Sequence, residues 1–268
     1  MLTKGAIGNL INRYRAVLKK CTLINVFGSL AVASMLVMGG AYCANAVELD
    51  DVIGDAKFLN GTSTKDPASG KYIAGKQVEA GDDSLGSTSI TLNGQDFKGE
   101  LNAGSLASGV NTKATVTSAS ISITGGSFDG TPDEGDPFPI RGGGIAVNGG
   151  SSTVEKSTIS ISGATLKNTT VWAGGVVVDD YGEAHTETSD ITINNTNGSG
   201  NNTDASGVTV YGGSDGGSVG TSTITVSGSS EVETIFAGGD NDTVDDVTIK
   251  VENGATVHNI ITNGSNNS

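Results

Sequence analysis

The chain has 268 residues, 41 of them glycine, and a formal net charge of −14 at pH 7. Its 29 acids against 15 bases exclude nucleic acid as a partner, because phosphate backbones demand a positive footprint. Its two cysteines, Cys21 and Cys43, both precede residue 46 and exclude a disulfide-stapled body.

Residues 1–46 read as an export signal. Lys4, Arg13, Arg15, Lys19 and Lys20 form a positive region that contains no acid. An apolar run from Cys21 to Met38 follows, and then Ala44-Asn45-Ala46, the A-x-A pattern that signal peptidase accepts. The run is about 18 residues long, near the lower limit for a spanning helix. Asn25, Gly28, Ser29 and Ser34 dilute it, so a cleavable helical signal is expected in preference to a retained anchor. Ala44, Ala46 and Val47 are the expected cleavage residues. Lipidation at Cys43 is disfavoured, since Tyr42 stands where a small residue is required. Cleavage leaves ten bases against all 29 acids, a net charge of −19, and removes both cysteines. Such a body is well solvated and poorly suited to anionic lipid.

The segment Asn12-Arg13-Tyr14-Arg15-Ala16-Val17-Leu18-Lys19-Lys20 sets an Asn, a base, an aromatic, a base and a Val in close order. In this it resembles the extended signal region of type V autotransporters, large secreted proteins of Gram-negative bacteria. The resemblance covers about 30 residues, and Met1–Leu10 precede the motif. It implies a passenger that threads an outer-membrane pore unfolded, where a premature crosslink would jam. The cysteine-free body fits that route. The implied localisation is the periplasm, the cell surface or the medium.

From Val47 to about Leu85 the pattern is less regular, and this stretch, 47–85, reads as an irregular lead or an N-terminal cap. Residues 86–268 read as a repeat region. Six apolar-polar-apolar triplets recur: Ile90-Thr91-Leu92, Ile121-Ser122-Ile123, Ile159-Ser160-Ile161, Ile191-Thr192-Ile193, Ile224-Thr225-Val226 and Val247-Thr248-Ile249. Their starts are 31, 38, 32, 33 and 23 residues apart, with the variation falling in polar loops such as 129–139 and 194–206. Alternation of β-branched residues marks half-buried strands. Glycine follows several triplets, at Gly94, Gly125, Gly163, Gly228 and Gly254. A second motif matches Val171-Trp172-Ala173-Gly174-Gly175 with Ile235-Phe236-Ala237-Gly238-Gly239. A third matches Gly144-Ile145-Ala146-Val147, Gly175-Val176-Val177-Val178 and Gly207-Val208-Thr209-Val210. The unit is therefore strand, glycine turn, strand, Gly-Gly turn, strand, loop.

A three-residue strand buries too little to fold alone. Stacking coils about 4.8 Å apart satisfies the backbone and aligns Ile and Val in one interior column. No 3.6-residue apolar period exists after the signal, so no helix is expected there. The fold class expected is all-β, a parallel β-solenoid. Its right hand, as a β-helix, rests on the autotransporter resemblance alone. Eight to ten coils give a rod about 40–50 Å long.

Candidate chemistry is sparse. His185 and His258 fall in different repeats, outside any zinc spacing. Gly213-Ser214-Asp215-Gly216-Gly217 is the nearest string to a serine-protease nucleophile loop, in the wrong order. Asp179-Asp180 reads as a charged turn before it reads as a catalytic pair. Arg141, the one arginine after the signal, reads as a surface turn residue. Two acidic clusters, Asp240, Asn241, Asp242, Asp245 and Asp246, and Asp129, Asp133, Glu134 and Asp136, offer hard oxygen ligands for calcium. Solvated loops are the preferred reading of both.

No catalytic, cofactor-binding or metal residues are therefore assigned, no cofactor is expected, and the chain is not expected to be an enzyme. The expected function is surface display or adhesion by an exported, autotransporter-passenger-like β-helix. The alternative is a β-helical lyase or glycosidase acting on polysaccharide. The expected partners are an outer-membrane translocator barrel and a host or bacterial surface ligand. The alternating strands and aromatic girdles of such a barrel are not found before Ser268. The repeat region is thus expected to be incomplete at its C-terminus: either the chain is a truncated product or fragment, or the translocator is a separate protein.

Overall fold

Alternation of apolar and polar residues is realised as parallel strands throughout the body. A computed structural model describes residues 55–131, 137–179, 181–194 and 204–262, except for the side chains of 204–207. The expected signal, with Ala44, Ala46 and Val47, lies outside the described residues. All described residues belong to one compact unit, Val47–Ser268, and none of them is helical.

Chain order begins with four short strands: β1 (Lys57–Phe58), β2 (Thr64–Lys65), β3 (Gly70–Ile73) and β4 (Gln77–Val78). Then come β5 (Asp82–Asn93), β6 (Asp96–Asn102), β7 (Leu106–Ser108), β8 (Lys113–Thr124), β9 (Ser127–Asp129), β10 (Pro139–Arg141) and β11 (Ile145–Val147). They are followed by β12 (Ser151–Ser162), β13 (Thr165–Lys167), β14 (Thr170–Trp172), β15 (Val176–Val177) and β16 (Glu183–Asn194). The last are β17 (Asp204–Tyr211), β18 (Ser218–Ser227), β19 (Glu231–Phe236), β20 (Thr243–Val251) and β21 (Thr256–Ile261).

These strands form three ladders that the chain visits in turn. The first sheet is β2-β5-β8-β12-β16-β18-β20. The second is β1-β3-β6-β10-β14-β17-β19-β21, with β9 and β13 alongside, and the third is β4-β7-β11-β15. Every pairing among the described strands is parallel. Each return to a sheet adds one strand beyond the last, so the chain builds a stack of rungs. Among the described residues the first sheet stacks seven strands and the second eight, the lower end of the eight to ten coils expected; eight strands about 4.8 Å apart span about 34 Å, less than the 40–50 Å expected. The stretch expected as an irregular lead or an N-terminal cap, 47–85, holds β1–β4 and the start of β5, paired in register with the rungs that follow.

The triplets lie over one another. Ile90, Ile121, Ile159, Ile191 and Ile224 form one column, and Leu92, Ile123, Ile161, Ile193 and Val226 the next. All ten are at most 1% exposed. Each such burial contributes roughly 1.5–3 kcal/mol, which no isolated triplet obtains. The last rung departs from the expected alignment. Ile224 pairs with Ile249, not Val247, which sits opposite Ser222. Val247-Thr248-Ile249-Lys250-Val251 alternates for five residues, so a two-residue shift preserves every facing and pattern alone cannot choose.

The third expected motif is also corrected. Val208-Thr209-Val210 does not belong with Ile145-Ala146-Val147. It lies in β17, where Val210 pairs with Val171 and Tyr211 with Trp172. The residue that continues the line of Val176 is Asp215. The string fits either motif by alternation. Tyr211-Gly212-Gly213 behind it, an aromatic before two glycines, is the mark of the second sheet.

Two kinds of glycine corner separate the sheets. After the first sheet, Gly94, Gly125, Gly163 and Gly228 hold φ between 61° and 71°, a left-handed conformation that other residues enter at a cost. After the second sheet the need is for space. Amides climb from rung to rung as Gly75 to Gly104, Gly104 to Gly143, Gly143 to Gly174 and Gly174 to Gly213, each at 3.0 Å. A Cβ on Gly143 would stand 2.2 Å from the amide nitrogen of Gly175.

Outward residues of the first sheet are polar and also in register. Ser89, Ser120, Thr158, Asp190, Thr223 and Thr248 form one column. Thr91, Ser122, Ser160, Thr192, Thr225 and Lys250 form its neighbour.

Candidate functional site

The most concentrated chemistry lies on the second sheet beside its Gly-Gly corner. Inward positions there are Leu101, Ile140, Val171, Val210 and Ile235, all fully buried. One residue later, on the opposite face, Asn102, Arg141, Trp172, Tyr211 and Phe236 follow one another rung by rung. The parallel register forces the rings together. Trp172 and Tyr211 stack with centroids 3.8 Å apart and planes 6° apart, and Tyr211 and Phe236 stack at 4.9 Å and 5°. Each such pair adds about 0.5–1.5 kcal/mol beyond its buried area. The indole N–H of Trp172 donates to Thr170 Oγ1 at 3.0 Å.

Arg141 is no surface turn residue, contrary to expectation. It ends β10, and its side chain is only 15% exposed. Nη1 donates to Glu100 Oε1 at 2.6 Å, and Nη2 stands 4.0 Å from Asp215 Oδ2. Its Nε and the Nδ2 of Asn102 are buried with no hydrogen-bond partner. Asp215 and Asp240 carry the line of the third sheet onward by single parallel bridges from Val176. Burial, helped by the negative charges of Asp240 and Asp215, pushes the Tyr211 hydroxyl above its ordinary value. The corner thus joins an ion pair, three stacked rings and two carboxylates.

What this arrangement can do is limited by its geometry. The rings cover each other's faces, so they present edges more than platforms. Glu100 is committed to Arg141. Among the described residues of this corner, no nucleophile stands against a base in the manner of a triad. The cluster was missed in the sequence, although a signal existed: Arg141 precedes Gly142-Gly143 in the slot that Trp172 and Tyr211 fill before theirs.

The other candidate residues resolve into turns and rungs. Asp242 accepts the amides of Gly239 at 2.9 Å and Ser214 at 2.7 Å, so its carboxylate closes the corner. Burial pushes its pKa up against the opposing pull of those amides. Asp245 and Asp246 lie on β20. Asp129 accepts the Thr131 amide at 2.9 Å and meets Lys167 at 3.4 Å; Asp133, Glu134 and Asp136 lie outside the described residues. Asp179 accepts the amides of Asn148, Tyr181 and Gly182, a turn clasp, and Asp180 lies outside the described residues. Ser214 is fully buried, tight beneath Gly174. His185 Nδ1 meets Ser218 Oγ at 2.8 Å, and His258 Nε2 meets Glu231 Oε1 at 2.7 Å, two rungs apart in different sheets. Among the described residues, no three potential ligands converge closely enough to hold a metal ion.

Comparison adds no relative: no family model, no curated protein and no solved structure matches this chain.

Proposed function

We propose that the chain is an exported, autotransporter-passenger-like protein that acts in surface display or adhesion. In this reading a helical signal is cleaved between Ala46 and Val47, and the body is a right-handed parallel β-solenoid. It reaches the periplasm, the surface or the medium of a Gram-negative bacterium. Its partners are an outer-membrane translocator barrel and a ligand on a host or bacterial surface. The observation that carries this reading is the pair of outward polar columns, mostly Ser and Thr, running in register over an apolar interior. Such a stack repeats one weak polar contact many times, and repetition turns weak contacts into avidity. The net charge of −19 after cleavage keeps that surface solvated and away from nucleic acid.

The test is expression with the native signal in a Gram-negative host, followed by fractionation and N-terminal sequencing. The reading requires a chain that begins at Val47 outside the cytoplasm. An intact N-terminus in the cytoplasm overturns it. Adhesion is then scored by retention of chain-coated beads on cultured cells and glycan arrays. Retention no greater than that of beads coated with an inert protein removes the adhesive role.

A second reading, a β-helical enzyme of polysaccharide, is favoured by one observation, the Arg141–Glu100–Asp215 cluster beside Trp172 and Tyr211. It predicts release of oligosaccharides or unsaturated ends from an acidic polysaccharide, lost in Arg141→Ala. No release from a broad panel removes it.

A further inference from the structure

The outward face of the first sheet is poor in charge although the chain is rich in it. Across the five rungs β5, β8, β12, β16 and β18, its two central columns hold ten side chains, two per rung. Nine are Ser or Thr, and Asp190 is the tenth, in a chain with 29 acids. Further columns continue the pattern to either side, where Thr115 pairs with Thr153 and Thr124 with Ser162. None of the ten is aromatic. The rings that could stack on a sugar lie on the second sheet.

The array is also regular in two directions. The pairing from β5 to β18 runs through both columns without a shift. Rungs are about 4.8 Å apart and side chains two residues apart on one strand about 6.6 Å, whereas the oxygen atoms on a prism face of ice repeat at roughly 4.5 Å and 7.4 Å along two perpendicular directions. Over the four steps from β5 to β18 the mismatch along a column accumulates to only about 1 Å, and between the two columns it stays under about 1 Å. A hydroxyl moves farther than that between rotamers.

The interior holds the array still. Ile121, Ile159, Ile191 and Ile224 alternate with the two columns and are buried. Thr158, Thr192, Thr223 and Thr225 are β-branched and stiff at χ1. Ser89 Oγ donates to Ser63 Oγ at 2.7 Å and Ser120 Oγ to the Thr88 carbonyl at 3.3 Å, ties that run along the column and keep its spacing. An ion would spoil such a surface, because it turns its waters toward itself. Neutral hydroxyls both donate and accept, so a rank of them can hold water at lattice positions.

We propose that this face binds ice, the partner being the oxygen lattice of a crystal face. Each hydroxyl contributes little, and the repeat supplies the affinity. The proposal uses the columns invoked for adhesion but needs neither export nor a cell-surface ligand, so either reading can fail alone.

The experiment is partition of the purified chain into slowly growing ice, with inhibition of ice recrystallisation as a second readout. The native chain should be enriched in the ice over an inert protein of similar mass. Ser160→Lys plants a long cation in the middle of the array and should lower the partition severalfold. Thr234→Lys adds the same charge to the outer face of the second sheet, where Thr234 is half-buried, and should leave the partition unchanged. Asp190→Thr completes the array with a better strand former and should raise both readouts. Circular dichroism checks that each variant keeps its β-structure. A native chain excluded from ice like the inert protein overturns the proposal. So do equal losses in the two lysine variants, or an Asp190→Thr chain no more active than the native one. Because that variant is expected to gain activity, misfolding cannot imitate the predicted result. Retention on crystalline cellulose or chitin without enrichment in ice assigns the face to a polysaccharide and likewise overturns it.

Discussion

Gly175→Ala separates the two roles of glycine in this chain. Gly175 follows the second sheet, and its φ lies outside the left-handed region, so alanine meets no conformational barrier there. The added Cβ would lie 2.0 Å from the Gly144 carbonyl oxygen, 2.8 Å from its nitrogen and 2.9 Å from its carbonyl carbon. All three are backbone atoms of the rung below, and no side chain can swing aside. A comfortable contact needs roughly 3.5 Å, so the rungs must part by more than about 1 Å. The bonds at risk are Val176 N to Gly144 O at 2.9 Å, and Gly143 N to Gly174 O and Gly174 N to Gly213 O at 3.0 Å each. Buried bonds of this kind cost about 1–3 kcal/mol each to break, so a loss of about 3–6 kcal/mol is expected. Gly163→Ala is the control. Gly163 has φ 61° and open space within 4 Å, so only the left-handed penalty of about 1–2 kcal/mol applies. Trp172, the one tryptophan of the chain, lies three residues from Gly175 and reports unfolding by fluorescence in urea. With a slope of about 2–3 kcal/mol per molar, Gly175→Ala should lower the midpoint by more than 1 M and Gly163→Ala by less. Equal shifts would refute the close approach of the rungs.

Ile161→Ala should cost about 2–5 kcal/mol, because Ile161 is fully buried between rungs, whereas Ile260→Ala on the open end should cost under about 1 kcal/mol; urea titration of both checks the gradient. Ser189→Ala should be neutral or stabilising, since its hydroxyl is buried without a partner and Ala119 stands in the same column two rungs below; a loss above about 1 kcal/mol contradicts this. His258, whose hydrogen bond to Glu231 raises its pKa, should titrate by NMR above the ordinary value of 6.5, and Glu231→Gln should lower it. The sign follows from linkage: the pair helps folding below the unfolded pKa, and that help fades as pH rises through the folded one.

Much of the fold was legible because the interior is built from alternation, and alternation is local. Ile159-Ser160-Ile161 states its own facing, and its recurrence every thirty-odd residues states what it faces. The Gly-Gly strings marked the second corner, and Gly94, Gly125 and Gly163 the first. Register was less legible. A shift of two residues preserves facing, which is why Val247 stood in for Ile249. Val208-Thr209-Val210 fits two sheets equally until Tyr211 is counted. The site was least legible, because Glu100, Arg141 and Asp215 are distant in sequence and meet only through stacking. The acidic clusters were legible only as loops and turns. They are close in sequence, but Asp242 and Asp179 turn their carboxylates onto backbone amides, which composition does not reveal.

The central claim is that the triplets lie in register, each over the one before. Methyl–methyl nuclear Overhauser effects in a selectively labelled chain test it most directly. The account predicts one unbroken relay, Ile121 to Ile159 to Ile191 to Ile224 to Ile249, each step one rung high. Overhauser effects that instead join each triplet to an antiparallel neighbour a few residues away, or none between triplets at all, would contradict it.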